Sequence, residues 1–103
     1  MEAAGFIEVF GTVAAFVAAD AACKAANVTI EAFDNNKPKN AEALPIPLIV
    51  IVKIRGSVED VRAGVEAAIT AANSISGVVA SHIISRPAED TEKLLKINCL
   101  LKK

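Results

Sequence analysis

Few side chains in this sequence could carry out acid–base or nucleophilic chemistry. The one histidine, His82, lies in a predicted strand, where a lone imidazole is more often packed or at an interface than a catalytic base. Glu8 and Asp20 are possible partly buried acids, for which structural hydrogen bonding is a better explanation than proton transfer. The motifs GxSxG, HExxH, GxGxxG and the P-loop are absent. We therefore predict no catalytic residue and no enzymatic activity.

The two cysteines, Cys23 and Cys99, are far apart and form neither a CxxC motif nor a metal-ligand cluster. We expect two reduced thiols, with Cys23 as a small buried apolar residue; a disulfide or a cluster ligand is the alternative. The sequence thus predicts no metal and no cofactor.

Composition excludes several classes of partner. The 103 residues have a net charge of −1, with scattered basic residues and no Trp or Tyr, which argues against a nucleic-acid partner. The longest apolar run, 44–52, is interrupted by Pro45 and Pro47 and is too short to span a membrane. Residues 1–5 lack the basic start of a signal peptide, so we expect no membrane partner and a cytoplasmic location.

Hydrophobic patterning predicts the elements in order. We expect a strand over 5–10, a helix over 13–26 capped by Thr12, and a strand from Val28 that ends at Asp34, with Val28, Ile30 and Ala32 on one face. A loop over 35–47 follows, then a central strand over 48–54 that is buried on both faces.

The second half of the chain is patterned in the same way. Ser57 and Asp60 form a capping-box-like start to a second helix, which we expect to stop near a left-handed Gly77. A fourth strand over 78–85 and a short helix with a Glu89–Lys93 pair complete the chain.

This β-α-β-β-α-β order predicts an α+β, ferredoxin-like fold, in which a four-stranded antiparallel sheet carries both long helices on one face. We expect one domain over 1–103, with a core of about 4–87 and a short helix and tail over 88–103. The other face of the sheet needs cover or water. Residues 14–26 include eight alanines, a composition that allows close packing against a sheet or a neighbouring subunit and indicates an assembly role.

Several local motifs support a specific interpretation: Gly5-Phe6-Ile7-Glu8, Ala18-Ala19-Asp20-Ala21, Lys24-Ala25-Ala26-Asn27-Val28, Arg55-Gly56-Ser57-Val58 and His82-Ile83-Ile84-Ser85-Arg86-Pro87. In this order they resemble the single-domain, hexamer-forming shell proteins of bacterial microcompartments, over residues 4 to about 96. The resemblance implies six-fold rings that tile into the facets of a protein shell. The implied partners are further copies of the chain, other shell proteins and encapsulated enzymes.

The resemblance also assigns residues to the contact between rings. Lys24, Asn27 and Arg86 occupy the places of the lysine, asparagine and arginine that the family uses there. The alternative for Lys24 is a solvated cation near a helix C-terminus, which needs no partner.

The predicted loop departs from the family, whose short glycine- and serine-containing turn lines the pore. The chain has no glycine between Gly11 and Gly56, and tight left-handed turns are costly for other residues. The candidate pore-loop residues are Asn35, Asn36, Lys37, Pro38, Lys39, Asn40 and Glu42.

The loop could narrow or plug the pore, form a collar on one side, or prevent a flat ring from closing. We favour an altered or occluded pore, where Lys37 and Lys39, partly offset by Glu42, would favour small anions. The alternative is a surface loop whose lysines keep it soluble.

A small-molecule-binding regulatory domain of the same fold, a nucleotide or amino-acid sensor, is the competing function. Nucleotide binding would require phosphate-cradling glycines or clustered basic residues, and the sequence shows neither.

Overall fold

The computed structural model describes residues 2–36 and 48–97. Seven elements follow one another: β1 (Ala3–Phe10), α1 (Thr12–Ala25), β2 (Thr29–Asn36), β3 (Ile49–Gly56), α2 (Val58–Ile75), β4 (Val78–Ile84) and α3 (Glu89–Leu95). The predicted order of elements is confirmed.

The four strands form one antiparallel sheet in the order β2-β3-β1-β4, which is the ferredoxin-like arrangement. α1 lies over β3 and β2, and α2 lies over β1 and β4. Alternate strand residues therefore point toward the helices, and these include the fully buried Ile7, Val9, Val52 and Ile54. The core thus lies between the sheet and the two long helices.

Small residues bring α1 and α2 close together. The alanine face of α1 is buried, and a Cβ added at Gly64 of α2 would lie 3.5 Å from Cβ of Ala22. The large apolar residues of α1 point the other way, with Val13 68% and Phe16 61% exposed. Alanine spacing therefore defines the packed face, and the side chains with the largest apolar area lie on the surface.

The caps of the two long helices differ from prediction in part. Ser57 caps α2 as expected, since its Oγ accepts the Asp60 N–H at 3.1 Å. Thr12 is not the cap of α1, because Gly11 holds that place with a φ of 90° and no side-chain hydrogen bond. Gly77 is not left-handed either; Gly11 is the one positive-φ residue in the described ranges. α2 ends at Ile75, and the N–H of the capping residue Ser76 donates to the Ala72 carbonyl.

β2 contains an irregularity that the alternation did not predict. Ile30 pairs with Ile54, and the next pair in the ladder is Ala32 with Lys53, so Glu31 is an inserted residue. Ile30 and Ala32 therefore lie on opposite faces, and the prediction that they share one is wrong. Phe33 instead points toward α1, with its ring centroid 5.2 Å from that of Phe16.

α3 covers part of the second face of the sheet. Leu95 is 2% exposed, and the two buried cations of β3, Lys53 and Arg55, make hydrogen bonds to this helix and its end. The predicted Glu89–Lys93 pair is replaced by a contact of 3.4 Å between Lys93 and Asp90. The terminal helix is thus part of the fold and covers one part of this face.

Candidate assembly surfaces

Three predicted edge residues lie at one end of the sheet. α1 ends beside the start of β2, β3 ends at Gly56, and β4 ends opposite Ala4 at the start of β1. Lys24, Asn27 and Arg86 follow these elements or lie in their last turn, so the topology collects them at this end. The end of β2 and the start of β3 are at the other end, roughly 24 Å away for an eight-residue strand.

Lys24 is a surface cation with a local partner. Its side chain is 76% exposed, and its Nζ lies 2.8 Å from Oδ2 of Asp20, one turn earlier. The hydrogen bond and the charge of Asp20 raise the pKa of Lys24 above its usual value. The alternative of a solvated helix-end cation and the role between rings both fit this exposure.

Asn27 and Arg86 are both exposed at this end, where they follow different elements, α1 and β4. The backbone N–H of Asn27 donates to Oδ1 of Asp60 at 3.3 Å, which ties the turn after α1 to the start of α2. Arg86 follows β4, and β1 separates that strand from the end of β3, where the Asn27 carbonyl lies beside Gly56. Within one chain these two residues and Lys24 are therefore brought to one end, without forming a cluster.

The opposite end contains the start of the candidate pore loop. Asn35 and Asn36 belong to β2, paired with Val50 and Ile49, so the strand continues two residues past the predicted end at Asp34. The backbone N–H of Asn35 donates to Oδ1 of Asp34 at 2.8 Å. The other candidates, Lys37, Pro38, Lys39, Asn40 and Glu42, lie outside the described residues.

Large apolar side chains are exposed on both flanks of the sheet. On the α1–β2 flank, Phe16 is 61% exposed and Ile30 42%. On the α2–β4 flank, Ile75 is 50% exposed and Val79 43%. Exposed apolar side chains of this size make both flanks candidates for protein–protein contact. The sequence contained a signal for it, because a helix that packs through alanines must present its larger residues outward.

Comparisons with known proteins agree with this geometry. The family model of the BMC domain matches residues 3–87. The chain belongs to the BMC domain family of shell proteins. It is 37% identical to the bacterial microcompartment shell protein PduA of Salmonella typhimurium, over 91% of this chain and 90% of that protein. It is 39% identical to the carboxysome shell protein CcmK2 of Synechocystis, over 92% of this chain and 85% of that protein.

A solved structure has the same fold. A microcompartment protein from Desulfitobacterium hafniense matches 93% of this chain with a TM-score of 0.70 and 29% identity. This chain spans only 47% of that longer protein.

The matched BMC domain ends before α3, yet two of its buried residues depend on that helix. The Arg55 side chain, 7% exposed, bonds to both oxygens of Glu92 and to Glu31, and also donates to the backbone carbonyls of Glu2 and Ala3. These carboxylates raise the pKa of Arg55, and Arg55 lowers that of Glu92.

Lys53 donates to the carbonyl of Ile97 at 3.0 Å and lies 3.8 Å from Asp34. In the sequence, Lys53 was visible only as a polar residue that interrupts a buried strand. Its contacts with α3 could not be predicted, because the alternation of residues along β3 says nothing about which helix packs on that strand.

Of the three residues considered for chemistry, two lie near each other in this BMC domain. Glu8 and His82 border an open cleft on the second face of the sheet, whereas Asp20 is on α1. Cys23 is exposed, so the prediction that it is buried is wrong; Cys99 lies outside the described residues. Over residues 2–36 and 48–97, no group of three or more possible ligands could hold a metal ion. Within the same ranges, the helices are too short or too polar to cross a bilayer.

Proposed function

We propose that the chain is a structural protomer of a bacterial microcompartment shell, which assembles into six-membered rings that tile into facets. In this proposal the chain is a single shell domain over 1–103 with its core at about 4–87. Its partners are further copies, other shell proteins and, on the luminal side, encapsulated enzymes. Hexamers are typical of the family. The observation that carries the proposal is the polarity of the sheet, with Lys24, Asn27 and Arg86 at one end and the end of β2 and the start of β3 at the other.

The two apolar flanks suit contact between neighbours in a ring. A head-to-tail ring needs two different surfaces on each protomer, and closure buries both of them in every copy. The Phe16–Ile30 flank lies at the β2 edge of the sheet and the Ile75–Val79 flank lies at the β4 edge. Each protomer therefore has two different surfaces, as such a contact requires. Burying these side chains would also strengthen a small domain whose own core consists mostly of alanine and valine.

Lys24, Asn27 and Arg86 are proposed to form the contact between rings. When two rings meet in a flat sheet, the exposed Nζ of Lys24 would donate to backbone carbonyls of the facing copy. Asp20 holds the ammonium only by a solvent-exposed ion pair, which is weak, so the side chain is available for that contact.

The experiment is a charge reversal with a matched control. Lys24→Asp should leave six-subunit rings intact by native mass spectrometry and abolish sheets by negative-stain electron microscopy. Lys93 is the control, because it is a lysine of similar exposure, 77%, that also lies beside an aspartate. Lys93→Asp should form sheets like the unmodified chain. Normal sheets from Lys24→Asp would exclude the edge role, and a stable dimer or trimer of the unmodified chain would exclude the ring.

The segment 35–47 is proposed to modify passage through the ring centre. It begins with the last two residues of β2, at the end of the strand that is remote from Lys24, and its sequence includes Lys37, Lys39 and Glu42. If six copies converge, an excess of positive charge favours small anions. Lys37→Glu with Lys39→Glu should then reverse the preference between anionic and cationic solutes of equal size in assembled shells. An unchanged preference, or a ring structure with both lysines far from the axis, would exclude this role of Lys37 and Lys39.

A further inference from the structure

The second face of the sheet contains an open cleft beside the part that α3 covers. Its volume is about 230 Å³, and it spans three strands, β3, β1 and β4. The residues that line it are Phe6, Glu8, Ile51, Ala80, Ser81 and His82. This face points away from α1 and α2, so the cleft is separate from the apolar flanks described above.

The strand register places one carboxylate among apolar side chains. Glu8 of β1 is opposite Ile51 on one side and opposite Ala80 on the other. Phe6 lies two residues away on the same face, since strand residues alternate. Glu8 is thus half-buried, with an apolar wall on three sides.

This carboxylate has no donor within the described part of the chain. The nearest cation along the neighbouring strand is Lys53, which is opposite Phe6 and therefore diagonal to Glu8. Its Nζ is already engaged by the carbonyl of Ile97 at 3.0 Å and that of Leu94 at 3.4 Å, and it lies 3.8 Å from Asp34. Glu8 and Asp34 flank Ile51 on this face, and Lys53 forms its ion pair with Asp34 and not with Glu8.

We propose that this cleft binds a small alkylammonium ion. The ammonium group donates to the Glu8 carboxylate, and the short alkyl body packs against Phe6, Ile51 and Ala80. A partly buried carboxylate without a donor is unfavourable, and a cationic ligand supplies both the charge and the hydrogen bonds. The Phe6 ring adds the attraction of an aromatic face for a cation. This binding function goes beyond the proposed shell role and does not depend on the pore loop.

The test compares three probes that share one alkyl body and differ in charge: isobutylammonium, isobutanol and isobutyrate. The assembled full-length chain is labelled at the isoleucine δ1 methyl groups, and the Ile51 methyl is followed by NMR. Isobutylammonium should shift it saturably with a dissociation constant in the millimolar range. Isobutanol should bind at least about tenfold more weakly, because it lacks the charge-assisted hydrogen bond, and isobutyrate should not bind. The Ile75 methyl on α2 should not move.

Variants then assign the charge to Glu8. Glu8→Gln should weaken the binding of isobutylammonium by at least about tenfold. Glu66→Gln, which removes an exposed carboxylate from α2, should leave the binding unchanged. Because the probe series uses the unmodified chain, the charge comparison remains decisive even if Glu8→Gln does not fold. Equal binding of isobutanol, or full affinity in Glu8→Gln, would overturn the proposal. Absence of any Ile51 shift, as when a neighbouring subunit fills the cleft, would overturn it too.

Discussion

Arg55 and Glu92 form a bidentate ion pair that joins the central strand β3 to the terminal helix α3. Nη1 and Nη2 of Arg55 each lie 2.8 Å from a different oxygen of Glu92. The arginine is buried by the sheet on one side and by α3 on the other, and the planar fork matches the carboxylate. Thus α3, which lies beyond the matched BMC domain, completes the environment of a residue inside it.

Removing Arg55 should destabilise the fold. Arg55→Ala eliminates its bonds to Glu92, Glu31 and the carbonyls of Glu2 and Ala3, with an expected loss of about 2–3 kcal/mol. Urea unfolding at fixed protein concentration measures it. Asp90→Asn removes the surface partner of Lys93 and should be indistinguishable from the unmodified chain. If Arg55→Ala lowered the free energy of unfolding no more than Asp90→Asn does, the Arg55–Glu92 pair would not stabilise the fold.

The same pair predicts a specific acid dependence. Because Arg55 lowers the pKa of Glu92 below its ordinary value of 4.5, the folded state holds the charged form more strongly than the unfolded chain does. This stabilisation is fully present above pH 4.5 and is lost as the pH falls through the lowered pKa. Glu92→Gln should therefore reduce Tm above pH 4.5 and flatten its decline at lower pH. An identical slope of Tm against pH in the two proteins would contradict the assignment.

Adjacent leucines of α3 test whether this helix belongs to the core. Leu95 is 2% exposed and Leu94 is 61% exposed. Leu95→Ala should cost about 2–4 kcal/mol because it leaves a cavity under the helix, whereas Leu94→Ala should have little effect. Both are measured by thermal unfolding at equal protein concentration, since assembly raises apparent stability. Similar Tm values for the two variants would mean that α3 does not contribute to the core.

Patterns that depend on local spacing predicted most of the fold. The central strand, the Ser57 cap and the order of elements follow from residues within one element, and the structure confirms them. The errors concern features that depend on contacts between elements. The inserted Glu31 pairs with Arg55 on the next strand, and periodicity along β2 carries no information about that contact.

The glycine at which backbone strain matters is also different from the predicted one. Gly11 has φ 90° and ψ 155°, a conformation that side chains disfavour, so Gly11→Ala should cost about 1–3 kcal/mol. Gly77 has no positive φ, and a Cβ there would lie 3.4 Å from the Phe10 ring, an ordinary contact. Gly77→Ala should therefore be nearly neutral. Chemical unfolding measures the free energy of unfolding of both variants. A larger decrease for Gly77→Ala than for Gly11→Ala would contradict the positive φ observed at Gly11.

The ion pair between Asp20 and Lys24 predicts how readily rings form sheets. If Lys24 must leave Asp20 to donate to a facing ring, then Asp20→Asn removes a competitor, and sheets should appear at a lower protein concentration. Light scattering against concentration measures the onset, with electron microscopy to identify the product. Glu66→Gln removes the same charge from an exposed position on α2 and should leave the onset unchanged. A higher onset for Asp20→Asn would mean that Asp20 positions Lys24 for the contact, because the lysine would then function only when held in its observed rotamer.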